Sequence, residues 1–195
     1  MSRRPGAAKP SGAHRTTVWE GDHFPAPVVV DLQGKACSPW ITWFVDRTHA
    51  GICGWAVTPG FPGQSGVLTA LRHAMLSDEQ HTSVGGTPQR ICVDRGKDFL
   101  YETMRTVLDP YEVSVEFLPL YHPHDKMIIE AVNGAAQQMF FPTLPCYGYA
   151  RCGSAGQRVS VALAEVGAPP LTFTDFVALL HEWVTWWNTE HTSGA

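Results

Sequence analysis

Three acids set the chemical question: Asp22 in "WEGDHF", Asp94 at the end of "RICVD", and Glu130 in "YHPHDKMIIEAVN". A single glutamate on a helix is ordinarily a solvated surface group, and Glu130 alone would read that way. Asp94 and Glu130 are separated by 35 residues, however, and the three acids fall on three different predicted elements. Groups at strand ends and at the start of a helix can converge on one crevice of an open sheet. Three carboxylates gathered there would repel one another, so such a cluster makes physical sense chiefly when divalent cations neutralise it. Mg²⁺ suits it, because it takes hard oxygen ligands, keeps several waters and completes its shell with phosphate oxygens.

Periodicity and punctuation give the elements that must position these acids. "TVWEGDHF" reads as a strand carrying Asp22, and "VVVDLQGKAC" as a hairpin turning near Gln33-Gly34. "WITWFVD" and "GICGWAVT" are two further strands joined by "RTHA", which together make an antiparallel unit. After the breaker "PGFPGQSG", "VLTALRHAML" has helical spacing, with Val67, Leu68, Leu71 and Leu76 apolar. "RICVD" has the form of a buried parallel strand ending at Asp94. A helix over "DFLYETMRTVL", a strand over "VSVEFLPL" and a helix carrying Glu130 follow. In that last helix the expected buried stripe is Met127, Ile128, Ala131, Ala135 and Met139. "PTLPCYGYARCGSAGQRVS" reads as loop, and "TFTDFVALLHEWVTWWN" as a closing helix capped by Thr172 or Thr174. Strands first, then alternating helix and strand, predict an α/β fold: a mixed sheet covered by helices.

Composition bounds the alternatives. A chain of 195 residues, 44% hydrophobic and 16% charged, is long enough for one well-buried domain. It has no apolar run of membrane-spanning length and no apolar core after its basic N-terminus, so the expected location is cytoplasmic. Five scattered cysteines without a CxxC pair argue against a disulfide framework or structural zinc, and read as reduced, mostly buried thiols. Arg3, Arg4, Lys9 and Arg15 face no acid in residues 1–15; the remaining ten Lys plus Arg face all eighteen Asp plus Glu, a net of −8. Residues 1–16 are therefore expected to be a basic flexible linker and residues 17–195 the folded core. An acidic body is poor ground for duplex binding by itself, but a bound metal would supply the missing positive field.

The set "WEGDHF", "ICVDRGKDF" and "YHPHDKMIIEAVN" resembles the D,D-35-E signature of the DDE transposase and retroviral integrase superfamily. The resemblance runs from about Trp19 to "WWNTEH", and the long insert between Asp22 and "WITWFVD" is closest in pattern to Mu-type and related bacterial transposases. The chain departs from the pattern in having Arg95-Gly96 after the second acid and Lys126-Met127 before the third, neither of which removes a carboxylate.

The resemblance implies an RNase H-like five-stranded mixed sheet flanked by helices, with Asp22, Asp94 and Glu130 as catalytic metal ligands. It implies two Mg²⁺ ions, replaceable by Mn²⁺, one shared by Asp22 and Asp94 and the other by Asp22 and Glu130. The reaction implied is 3′-end cleavage of transposon DNA and strand transfer into target DNA, without a covalent protein intermediate. Lys126, Arg95 and His124 are the expected DNA contacts. A homo-oligomer on DNA, a possible helper ATPase, nucleoid association in a bacterium and no membrane partner complete the expectation. Members of this superfamily usually carry further domains on either side, so the chain is expected to be an excised core. Its rivals are an RNase H-like nuclease that only hydrolyses and a non-catalytic DNA-binding or assembly module.

Blander roles are expected elsewhere. His122 and His124 lack partners at zinc-ligand spacing. Asp31, Asp46 and Asp98 are turn or cap candidates, Glu20 a solvated strand residue with some prospect of supporting Asp22, and Trp183, Trp186 and Trp187 core.

Overall fold

The structure, a computed structural model, describes residues 17–76, 84–93, 98–117, 127–149, 151–152, 158–159 and 168–191. Its centre is a five-stranded sheet built from β1 (Val18–Pro25), β4 (Trp40–Asp46), β5 (Ile52–Thr58), β6 (Arg90–Val93) and β7 (Ser114–Phe117). The spatial order is β5-β4-β1-β6-β7. β4 runs antiparallel to both its neighbours, β1 and β5, whereas β6 pairs in parallel with β1 and β7 in parallel with β6. Helices α1 (Gln64–Met75), α2 (Asp98–Leu108), α3 (Met127–Ala135) and α4 (Phe173–Trp186) flank it. This is the mixed α/β architecture expected from the sequence.

Side-chain alternation divides the core between the two faces of the sheet. Trp19, Phe44, Ile91 and Val93 pack with Val67 and Leu71 of α1 and Met104 and Leu108 of α2. Phe24, Ile41, Trp43 and Val45 pack on the other face with Ile129 and Val132 of α3 and Phe176, Leu180 and Trp183 of α4. On β1, Glu20, Asp22 and Phe24 therefore share the face that meets α3.

The hairpin is β2 (Val30–Leu32) paired with β3 (Lys35–Cys37), a small sheet of its own. Its two turn residues, Gln33 (φ 55°) and Gly34 (φ 83°), take the left-handed conformation such a tight turn needs, and Asp31 Oδ1 accepts from Gly34 N at 2.6 Å. Asp46 likewise closes the β4–β5 turn by accepting from Thr48 N and His49 N. Thr172, not Thr174, caps α4, its hydroxyl oxygen accepting from Asp175 N at 3.1 Å.

Several expectations need correction. Helix α1 begins at Gln64, earlier than the apolar run suggested, with Gly63 at its cap. On α3 the expected stripe holds only for Ile128 and Ala135, which pack partly buried against the core; Met127 is 54% exposed, Met139 43%, and Ala131 also faces outward. Ile129, Val132, Ala136 and Phe140 are buried instead. The helix is apolar on more than one side, so spacing alone could not say which side the sheet would cover. A π-helical turn at Ala136–Phe140 follows it, and Phe140 and Phe141 both enter the core. The segment expected to be all loop contains a short antiparallel pair, β8 (Arg151–Cys152) and β9 (Arg158–Val159). Of the three tryptophans, Trp183 and Trp187 are core, but Trp186 is exposed.

Burial pushes the thiols of Cys37, Cys53, Cys92 and Cys146 upward. Asp31 adds to the effect at Cys37, which reaches about 11, and Asp46 adds to it at Cys53. A group whose folded pKa is raised stabilises the fold below its unfolded pKa and loses that contribution as pH climbs through the folded value. The Cys37 contribution is thus complete below about pH 9, the ordinary value, and fades up to about 11. Thermal unfolding should fall over this window, and Cys37→Ala should flatten the fall. Identical pH profiles for the two proteins would remove Cys37 as a cause.

Candidate active site

The candidate site begins with strand register. β1 and β6 run parallel, Glu20 opposite Cys92 and Gly21 opposite Val93. The next residue of β1 is Asp22; the residue that follows Val93 in sequence is Asp94, which lies outside the described residues. The carboxyl ends of adjacent parallel strands form the edge at which an open α/β sheet offers a crevice.

Helix α3 is tied to β1 at two points. Ile129 N, in its first turn, donates to Glu20 Oε2 at 2.9 Å. One turn later, Asn133 Nδ2 donates to Asp22 Oδ2 at 3.3 Å. The two strand positions are two residues apart, roughly 6.6 Å. The two helix positions are four apart, roughly 6 Å. Equal spacing means that α3 runs alongside β1 in the same direction. Glu130 lies between the tie points, three residues before Asn133 and so on neighbouring helix surface, with its side chain exposed.

The orientation of the Asn133 amide follows from its other partner. Trp43 Nε1 donates to Asn133 Oδ1 at 3.0 Å. An indole N–H can only donate, so the amide oxygen must face Trp43 and the NH₂ must face Asp22. A buried tryptophan on β4 thereby fixes the group that holds a half-buried aspartate on β1.

Glu20 differs from both candidate ligands. It is fully buried, not solvated as expected, and Arg47 Nε lies 2.9 Å from its Oε1. Two inward-pointing acids on one strand thus have different employment: Glu20 faces Arg47 and the start of α3, whereas Asp22 lies just past Gly21, the last residue of β1 paired with β6. The sequence reading missed Asn133, Trp43 and Arg47 altogether. Two signals were available, the two-residue spacing of Glu20 and Asp22 on a strand and the three-residue spacing of Glu130 and Asn133 on a helix.

The structure brings Asp22 and the helix of Glu130 together. Asp94, Arg95, His124 and Lys126 lie outside the described residues, as do His122 and Gly96. Among the described residues no group of three His, Cys, Asp or Glu could hold a metal. Asp22 and Glu130 nevertheless fit Mg²⁺ by donor chemistry, being hard carboxylate oxygens that stand half-buried and exposed. No helix among the described residues is long and apolar enough to cross a membrane.

Residues 20–146, well over half of the chain, match the TnsB C-terminal domain family. The chain belongs to that family. It is also 24% identical over 132 residues to the transposase for transposon Tn552 of Staphylococcus aureus, covering 67% of this chain. The chain spans only 28% of that relative's length. Among solved structures, a chain of the simian T-cell lymphotropic virus intasome, in complex with PP2A regulatory subunit B56 gamma, is similar with TM-score 0.48 and 17% identity. It covers 74% of this chain and 49% of its own. The HTLV-2 integrase catalytic core domain in complex with magnesium is similar with TM-score 0.41 and 15% identity, covering 66% of this chain and 71% of its own. The family match makes this a TnsB-type domain, and the Tn552 relative is a transposase; the magnesium belongs to the HTLV-2 protein.

Proposed function

We propose that residues 17–195 are the catalytic core of a DDE-type DNA transposase, which cleaves the 3′ ends of transposon DNA and transfers them into target DNA. Asp22, Asp94 and Glu130 would hold its Mg²⁺ ions, for which Mn²⁺ can substitute. The observation that carries this reading is the register of β1 with β6, in which Gly21 and Val93 are partners and each is followed by an acid. The tie from Asn133 to Asp22 supports it by holding the helix of Glu130 against β1 at Asp22.

When bound, such ions polarise a water or a DNA 3′-hydroxyl for attack and neutralise charge on the leaving oxygen. The chain's own residues then have distinct tasks. Trp43 and Asn133 hold the Asp22 carboxylate in one orientation, so less reorganisation is needed when substrate arrives. Lys126, Arg95 and His124 are the proposed DNA contacts, and matter more because the rest of the body is acidic. Residues 1–16 are the proposed linker. An oligomer of this chain on DNA, a helper ATPase and association with a bacterial nucleoid belong to the same proposal, as does the Mu-type likeness.

A precut transposon-end duplex incubated with the chain, a target duplex and Mg²⁺ or Mn²⁺ tests it. The expected result is a branched product in which the 3′ end is joined to the target. Hydrolysis of DNA without joining would overturn strand transfer in favour of a nuclease. Neither product, from protein that binds DNA, would leave a non-catalytic assembly module.

A further inference from the structure

Glu20 is a buried acid that the proposed reaction does not use. It is 0% exposed, although an unpaired buried carboxylate is among the costliest groups a core can hold. Its two described partners account for the placement. Oε2 accepts from Ile129 N at 2.9 Å, and Oε1 lies 2.9 Å from Arg47 Nε. The first-turn N–H groups of a helix have no carbonyl partner within the helix and mark the positive end of its dipole. A carboxylate there therefore gains both a hydrogen bond and a favourable charge interaction. Arg47 is itself fixed, because its backbone N–H donates to Val18 O at 2.9 Å, the first residue of β1.

Ile129 is the residue before Glu130. We infer that Glu20, backed by Arg47, is a positioning residue that sets the start of α3 so that Glu130 is held at a fixed distance from Asp22. β1 thereby carries one proposed ligand and the anchor of another. The apolar packing of Ile129 and Val132 seats α3 on the sheet without fixing its register; the Asp22–Asn133 contact pins one point of it and the Glu20–Ile129 contact a second, next to Glu130. Arg47 keeps the anchor aimed, and its own side chain, 29% exposed, retains access to water. The inference rests on the proposed metal role of Asp22 and Glu130.

Glu20→Gln keeps the shape of the side chain but replaces a carboxylate whose two oxygens face Ile129 N and Arg47 with an amide whose single oxygen can serve one of them and whose NH₂ must face the other donor. Two measurements on the full chain test the assignment: Mn²⁺ binding followed by water proton relaxation, and hydrogen exchange at the Ile129 amide. With Asp22→Asn as the control for specific binding, Glu20→Gln should bind Mn²⁺ at least about 10-fold more weakly than the wild type, the scale seen when groups that orient metal ligands are changed. Exchange at Ile129 should be faster while exchange in α1 is unchanged. A merely structural role would lower the unfolding temperature and leave Mn²⁺ affinity of the folded protein untouched. Should Glu20→Gln not fold, the Glu20→Met, Arg47→Met double variant replaces both partners by apolar groups, removes the acceptor of Ile129 N and is read in the same way. Equal Mn²⁺ affinity in variant and wild type overturns the role of Glu20 alone. Absence of specific Mn²⁺ binding by the wild type overturns the metal reading itself.

Discussion

Asp22→Asn is expected to reduce joining of a precut transposon end by at least about 1000-fold, roughly 4 kcal/mol of transition-state stabilisation, without unfolding the chain. The two halves of that expectation have separate physical grounds. Asparagine is nearly isosteric with aspartate, and its amide oxygen can still accept from Asn133 Nδ2, now 3.3 Å from Asp22 Oδ2. The Trp43–Asn133–residue 22 chain of contacts therefore survives, and removing one acid of the proposed cluster should relieve repulsion in metal-free buffer. What is lost is a negatively charged hard ligand proposed to be shared by both ions. Rates come from single-turnover joining assays in Mg²⁺ and Mn²⁺, and stability from thermal unfolding in a chelator. Joining within about tenfold of wild type would remove Asp22 from the chemistry. Loss of joining together with a large drop in unfolding temperature would make Asp22 a structural residue instead.

The strands β1 to β5 were legible because the connections between them have their own turn chemistry. Gln33-Gly34 closes the hairpin, Asp46 closes the β4–β5 connection, and "PGFPGQSG" stops β5, so the runs between them could be placed to within a residue or two. Helix α2 was bounded correctly, with Pro110 soon after its end. Sidedness was harder. On α3 both the set starting at Met127 and the set starting at Ile129 have helical spacing, and only contact with β1 and β4 decides which is buried. Glu20 shows the same limit more sharply. Its chemistry depends on Ile129, 109 positions away in sequence, and on Arg47 from a different turn, and no local pattern encodes either meeting. The tie points at Asn133 and Trp43 are also non-local, 90 positions apart. Sequence could thus name a carboxylate as a candidate ligand, but not the uncharged groups that aim it.

The same logic, applied to the opposite face of the sheet, gives a large expected effect on stability. Gly54 on β5 faces α1 at close range: a Cβ placed there would meet Ala74 N and, at 2.5 Å, Ala70 O. Those are backbone atoms of a helix, so no side chain can swing aside, and relief requires α1 as a whole to move from the sheet. Ala70 and Ala74 are themselves buried small residues that permit this approach. Gly54→Ala should therefore cost about 3 kcal/mol or more, seen as a fall of roughly 6–12 °C in Tm for a chain of this size. Gly134 on α3 supplies the contrast. Nothing lies within 4 Å of a Cβ there, and it sits in a helix that already has the backbone angles alanine prefers. Gly134→Ala should stabilise the chain by about 0.5–1 kcal/mol. Paired calorimetric scans of the two variants check both signs. If Gly54→Ala unfolds within about 2 °C of wild type, α1 is not seated on β5 as closely as the packing requires. Because α1 lies across the sheet from α3, a folded Gly54→Ala protein should retain Mn²⁺ affinity, whereas Glu20→Gln should lose affinity and retain most of its stability. Opposite outcomes for those two variants would separate the residues that hold the sheet together from those that aim its carboxylates.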